Sequence, residues 1–236
     1  MPSDLSIGVI GSTGRLGSRV LAECRLHDVP VALAAHRGEW REDGRPTVVV
    51  DASRGAALPE VVEYCRERGA ALVECASDLG PEAARLLAEL AREVAVVRAA
   101  NLSVGHWMQQ HLLETAARLV GALDGAPPRA SVFERHTAAK ADRPSASARS
   151  LAAAWEAGSG GEKVEEIASY RAGHPVSEHS FQLDFPHESL VLRHEVRDLA
   201  AAAPGALAAA RWAHQAPAGL VTVKEVYDEM FLGATR

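Results

Sequence analysis

The first hundred residues alternate two kinds of pattern, and this alternation limits the fold more than any other feature of the chain. Short runs rich in apolar and β-branched residues ("LSIGVI", "VPVALAA", "TVVVDA", "AALVECA", "VAVVRAA") are separated by stretches with helical spacing ("RLGSRVLAECRLH", "LPEVVEYCRERG", "GPEAARLLAELARE"). The strand-like runs are apolar at nearly every position rather than every second one. A strand reads that way when helices cover both faces, as in a parallel sheet built from βαβ units.

After about residue 104 the pattern changes. One long predicted helix, Val104 to Leu123, leads to the strand-like segments "RASVFERH", "VEEIASYRAG", "EHSFQLDF" and "SLVLRHEVRD". Alternation such as Phe181, Leu183, Phe185 predicts an antiparallel or mixed sheet with one covered face, the other being polar or a subunit interface. "PGALAAARWAHQ" and "VKEVYDEMF" return to helical spacing. The expected class is α/β, with a Rossmann-like nucleotide-binding domain and an inserted α+β domain. Residues 1–103 and 213–236 are expected to form the first, and residues 104–212 a second domain for substrate binding and oligomerisation.

A chain of 236 residues, 47% apolar and 24% charged, can bury one large core or two modest ones. No basic segment followed by an apolar stretch opens it, and no run reaches the roughly 18 apolar residues of a membrane span. The expectation is a cytoplasmic protein. A net charge of -6 leaves no basic stripe for a phosphate backbone, which argues against nucleic acid as a partner. Cys24, Cys65 and Cys75 are odd in number and lack CxxC spacing, so they read as small packing thiols.

"VIGSTGRLGSRV" places Gly11, Gly14 and Gly17 between the first strand and the first helix. Glycines there open left-handed backbone, let the chain approach a pyrophosphate, and leave a helix N-terminus facing the anion. Ser12, Thr13, Arg15 and Leu16 complete the candidate loop. Further candidate cofactor contacts at the strand ends are Arg37, Ser53, Ala76, Asp78 and Asn101. The second strand runs into His36 and Arg37 with no carboxylate before Glu39. An acid there would hold a ribose 2′-hydroxyl, whereas Arg suits a 2′-phosphate, so NADPH is favoured, with NADH as the alternative.

A third stretch is "ERHTAAKADRPSASA". Three of the 25 basic residues are lysines (Lys140, Lys163, Lys224) and the other 22 are arginines. A lysine retained at 140 suggests chemistry that arginine cannot do, since Arg does not deprotonate in proteins. The segment resembles the E-x-H-H-x-x-K-x-D-x-P-S-G-T-A signature of the 4-hydroxy-tetrahydrodipicolinate reductase family. "AANLSVG" is similar to that family's Asn-Phe-Ser-x-Gly junction between domains, and "RAGHPVSEHSFQLDF" to its R-x-G-x-x-G-E-H-x-V-x-F stretch. With the glycine loop and "VVVDAS", the resemblance spans nearly the whole chain in order.

The resemblance implies a tetrameric two-domain reductase that passes hydride from a nicotinamide to a cyclic, unsaturated dicarboxylate. It places the acid and the substrate-binding cation at His136 and Lys140, and substrate contacts at Thr137, Ser145, Ala146 and Ser147. Elementary chemistry is consistent with these roles. Hydride addition to C=N or conjugated C=C leaves negative charge that a nearby acid must quench, and histidine can do so near neutrality. Departures from the family pattern cluster in the same places: Thr137 replaces a second His, Ala146-Ser147 replaces Gly-Thr, and Cys75-Ala76-Ser77-Asp78 replaces Gly-Thr-Thr-Gly. The expected substrate is therefore a relative of dihydrodipicolinate rather than that compound itself. A non-redox lyase or cyclase, or a nucleotide sensor, on the same scaffold is the alternative, because function belongs to the site and not the fold.

The remaining histidines do not present a metal motif. His106 and His111 are five apart on a predicted helix, and His179, His187 and His194 fall on separate segments with no fixed carboxylate, so no metal is expected. Arg171, Glu178 and His179 have two open uses, lining a substrate pocket or stabilising the sheet and a subunit interface. Trp107, Trp155 and Trp212 read as packing residues, and no hydrolase elbow surrounds Ser103 or Ser145.

Overall fold

A computed structural model describes residues 4–77, 79–174 and 177–233. The chain divides into two compact units, Met1–Leu102 with Leu199–Arg236, and Ser103–Asp198. Residues 199–212, expected in the inserted domain, thus belong to the first unit. The reason is the helix Ala203–Gln215 (α6, numbered in chain order), whose buried stripe of Ala203, Ala206, Leu207, Ala209, Ala210 and Ala213 packs on the strands of the first sheet. Small residues let it approach closely: a Cβ at Gly205 would stand 2.0 Å from the Leu102 carbonyl oxygen.

The first unit holds a seven-stranded sheet in the order β11-β6-β5-β4-β1-β2-β3. Its strands are β1 (Ile7–Ile10), β2 (Val31–His36), β3 (Glu39–Glu42), β4 (Val48–Asp51), β5 (Ala71–Glu74), β6 (Ala95–Arg98) and β11 (Gly219–Thr222). All pair in parallel except β3, which folds back on β2 as a hairpin. The helices α1 (Gly17–Leu26), α2 (Leu58–Arg68) and α3 (Ala83–Leu90) connect the strands. The β1, β4 and β5 strands are buried at every position, which is why their sequences do not alternate. The final helix α7 (Val223–Leu232) starts with a capping box between Thr222 and Glu225.

The second unit has a four-stranded mixed sheet, β10-β9-β7-β8, under two helices. Its elements are α4 (Val104–Val120), β7 (Arg129–His136), α5 (Ala146–Gly158), β8 (Glu166–Arg171), β9 (Ser177–Asp184) and β10 (Ser189–Val196). β7 and β8 pair in parallel and therefore need a crossover, which α5 supplies. Ala130 and Val132 of β7 face Phe181 and Leu183 of β9 in one core with Leu113, Ala117, Leu151 and Trp155 from the helices. No helix among the described residues is long and apolar enough to cross a membrane.

Candidate active site

In the first unit the glycine loop closes mainly by backbone contacts, with Ser12 Oγ also donating to the Ala35 carbonyl at 3.1 Å. Gly11 takes a φ of 78°, and a Cβ on it would meet the Ala52 carbonyl oxygen at 2.6 Å. A Cβ on Gly17 would stand 2.2 Å from the Gly11 carbonyl oxygen. The Gly11 and Ser12 amides both donate to the Ala35 carbonyl, at 2.9 and 3.0 Å, and the Gly14 amide donates to Gly11 at 2.8 Å. Leu16, at the N-cap of α1, supplies no side-chain cap, and the Ser18, Arg19 and Val20 amides donate instead to the Gly14 and Leu16 carbonyls, at 3.0, 2.9 and 3.0 Å. Thr13 and Arg15 are exposed, and Gly14 and Leu16 half-buried.

The other predicted cofactor contacts also lie in this unit. Arg37 sits exposed at the tip of the β2–β3 hairpin with a φ of 43°, next to Gly38. Ser53 follows β4 and donates its amide to Asp51 Oδ1 at 2.9 Å. Ala76 follows β5 and likewise donates to Glu74 Oε1 at 2.7 Å. Both acids are buried and stand opposite each other in the parallel register of β4 and β5. Asn101 is half-buried before α4, and Asp78 lies outside the described residues.

The second unit gathers the other set. On β7 the side chains of Ala130, Val132, Glu134 and His136 share the face under the helices, because strand side chains alternate. The first two belong to the core, so the next two carry charge onto that covered face. Glu134 and Arg171 form an ion pair whose side chains are 0% and 1% exposed, with Arg171 Nη2 2.6 Å from Glu134 Oε1 and Nη1 2.9 Å from Oε2. Arg171 also binds the carbonyls of Lys140 and Asp142, at 3.2 and 2.6 Å, and so pins the loop after β7. Nδ1 of His136 contacts Glu134 Oε2, and the Ser145 amide donates to Oε1 at 3.3 Å.

Burial is the largest single influence on the Glu134 carboxyl and pushes it up, but Arg171, Ser169 and His136 together outweigh burial and bring it to about 2. The His136 imidazole is held below its ordinary value, burial outweighing the attraction of Glu134, while Lys140 and Arg171 push the same way as burial. Close contact with Glu134 does not contradict this, since Nδ1–H donates to the carboxylate whether or not the ring is charged. Lys140 Nζ lies 2.8 Å from Asp142 Oδ1. Burial raises the Asp142 carboxyl, yet Lys140 overcomes that and holds it low.

The loop runs into α5, where Ser145 is the N-cap and accepts from the Ala148 amide at 3.2 Å. Ala146 and Ser147 form the first turn. Neither has left-handed backbone, so the Cβ at Ala146 introduces no backbone strain. Thr137 is half-buried, and its carbonyl accepts from the Lys140 amide at 3.2 Å. The structure therefore brings His136, Thr137, Lys140, Ser145, Ala146 and Ser147 into one neighbourhood around Glu134 and Arg171.

Glu134 was no candidate in the sequence, although one signal existed: an acid two positions beyond Val132 must fall on the covered face. The register also separates the three undecided residues. Arg171 and His179 stand on the helix side, His179 opposite Glu134. Glu178 turns to the far face and bridges Arg135 and Arg193, at 3.3 and 3.0 Å.

A parallel sheet with a glycine-rich first turn, joined in sequence to a mixed sheet carrying a buried acid–histidine pair, is the layout of the nucleotide-dependent oxidoreductase class that the family matches indicate. Residues 5–102 match the family model of the dihydrodipicolinate reductase N-terminus, and residues 105–227 that of its C-terminus. The chain belongs to the dihydrodipicolinate reductase family, whose members are NAD(P)H-dependent. It is 28% identical to the 4-hydroxy-tetrahydrodipicolinate reductase of Thermosipho africanus, covering 97% of this chain and 100% of the relative. It is 30% identical to that of Halorhodospira halophila, covering 94% and 98%. Among solved structures, a dipicolinate-bound dihydrodipicolinate reductase from Paenisporosarcina sp. TG-14 shares the fold with a TM-score of 0.72 at 14% identity, covering 94% of this chain and 98% of that one.

Proposed function

We propose that the protein uses NADPH to reduce a cyclic imine or enamine carboxylate other than dihydrodipicolinate. One observation carries the reading: a buried carboxylate, Glu134, is locked to Arg171 and holds Nδ1 of His136, which leaves Nε2 to carry the transferable proton. A bound reduced nicotinamide supplies the hydride. His136 then delivers its Nε2 proton to the nitrogen or carbon that has gained charge. The neutral ring that remains keeps its Nδ1–H on Glu134, so orientation and tautomer survive the step. A depressed pKa makes the imidazolium a stronger acid.

Lys140, steadied by Asp142, and the first turn of α5 behind Ser145 offer positive charge and amide dipoles to a substrate carboxylate. Gly11 and Gly17 admit no Cβ, and α1 lacks a side-chain cap, which suits a pyrophosphate held by Gly11 to Gly17. Ser53, Ala76 and Asn101 are assigned to the same cofactor. Arg37, with no carboxylate before Glu39, supports NADPH over NADH.

The shifted substrate rests on Thr137, Ala146 and Ser147, which remove an imidazole and add a methyl group where the family signature has His and Gly-Thr. A tetramer is proposed through the far sheet face, where Phe133, Tyr170 and Val191 are exposed between the Glu178 ion pairs. The test is turnover with NADPH on dihydrodipicolinate and a panel of other cyclic imines. A normal rate on dihydrodipicolinate removes the substrate shift. NADPH binding with no oxidation across the panel favours the lyase, cyclase or sensor reading, and failure to bind any nucleotide removes both. Sedimentation as a monomer removes the tetramer.

A further inference from the structure

Across the second sheet, one row of residues runs Ser169, Glu134, His179, His194 on β8, β7, β9 and β10. α4 lies over its far end and contributes His106 and Gln109 from the helix face that also supplies Leu113 and Ala117 to the core. One ring nitrogen from each of His106, His179 and His194 lies within 4.8 Å of the other two. His106 and His179 are 3% and 1% exposed, and His194 is half-buried. Three imidazoles from three elements thus converge in a place the sequence does not mark.

Each ring is held on one side by a serine. Nε2 of His106 meets Ser150 Oγ at 3.1 Å, that of His179 meets Ser145 Oγ at 3.3 Å, and that of His194 meets Ser103 Oγ at 3.1 Å. Ser150 gives its own proton to the Ser147 carbonyl, at 2.8 Å, so His106 must be the donor at Nε2 and its Nδ1 carries a bare lone pair. The Nδ1 atoms of all three rings are buried without a partner. Gln109 adds a fourth unpartnered polar atom. Its amide nitrogen donates to the His179 and Leu192 carbonyls, both at 2.8 Å, which fixes its Oε1 as a buried acceptor with no donor. That oxygen lies near enough to His106 to draw its pKa back up slightly.

Three ring nitrogens and an amide oxygen, buried together without partners, are a donor set that a cation can satisfy. We propose that His106, His179 and His194, with Gln109 Oε1 as a fourth oxygen donor, bind a divalent late first-row transition-metal ion of the Zn²⁺ class. Three imidazoles and an amide oxygen suit a borderline metal and are poor ligands for Mg²⁺ or Ca²⁺. Ring nitrogens held by hydroxyls on their far side are the arrangement that orients metal-bound histidines. Tetrahedral ligation at about 2.0–2.1 Å sets nitrogens about 3.4 Å apart, so the rings close in by at most about 1.4 Å. Burial already keeps the three imidazoles in the neutral form that ligation requires, His106 falling to about 4 and His179 to about 3. Gly105 preserves the geometry, because a Cβ there would stand 2.9 Å from the His194 ring. The ion would clip α4 to β9 and β10 beneath the Glu134–His136 pair.

The test uses the untagged full chain, freed of metal with a chelator and titrated with Co²⁺ as the spectroscopic probe, then with Zn²⁺. Expected are visible ligand-field bands saturating at an equimolar end point, their loss when Zn²⁺ displaces Co²⁺, and a rise in Tm with either ion. Ser150→Ala should weaken binding about 10- to 100-fold, and His106→Ala should weaken it by more. A flat titration overturns the proposal, as do bands that persist unchanged in both variants. Should the variants fail to fold, ring-nitrogen NMR of the unaltered protein decides. Zn²⁺ should move three buried histidine resonances and spare exposed His27 and His187. Movement of exposed rings alone, or none, overturns the site and leaves buried water as the occupant.

Discussion

The glycine loop of the first unit and the Glu134 network of the second are built from different materials. The loop is contiguous backbone: Gly11 to Gly17 close on Ala35 and Ala52 through main-chain contacts, and its specificity is a requirement for missing side chains. The network is side chains drawn from β7, β8, β9, α5 and the loop between β7 and α5, assembled around one buried carboxylate. Errors in the loop are steric and local. Errors in the network are electrostatic and spread, since removing one member strands a buried charge.

That contrast breaks most sharply at Glu134. Glu134→Ala leaves Arg171 buried without its counter-charge and should cost about 3–5 kcal/mol in urea unfolding, with loss of turnover. A cost near that of a surface substitution would show that water reaches the pair. Acid acts on the same unit. The lowered pKa values of His106 and His179 mean that their stabilising share is complete above the unfolded value of 6.5 and is lost as pH falls toward about 4 and about 3. The Glu134 share is lost from 4.5 down to about 2. Hydrogen exchange should therefore show β7, β9 and β10 losing protection progressively below pH 6.5, and protection unchanged down to pH 3 would contradict the burial of these rings.

Lys140→Arg keeps the charge and changes its shape and proton affinity. Turnover should fall by more than about tenfold if Lys140 touches substrate, with NADPH affinity unchanged. On the loop side, Gly17→Ala forces a Cβ against the Gly11 carbonyl and should cost about 1–3 kcal/mol while weakening NADPH in calorimetry. The smallest effect belongs to Arg37→Ala, expected to narrow the preference for NADPH over NADH by about tenfold, or about 1.4 kcal/mol, with kcat preserved. An unchanged ratio would make Arg37 a solvated charge.

The same contrast explains what could be read in advance. Glycines at fixed spacing after an apolar run announce a loop, because a turn requirement is local. The strands buried on both faces were equally plain. The elements β3 and β11 were not, being four residues each, one polar and one merging into α7. The Ala-rich α6 read as a helix, but nothing in its spacing said which unit it would cover.

Sequence alone determined the alternation that makes a parallel sheet, the glycine turn, and the His136 and Lys140 pair in its family signature. Tertiary structure alone decided that Glu134 meets Arg171 across 37 residues, and that His106, His179 and His194 share one place. Periodicity tells a side chain which face it occupies. Which residues meet on that face depends on strand register and helix placement, and those are set by the packing of the whole unit.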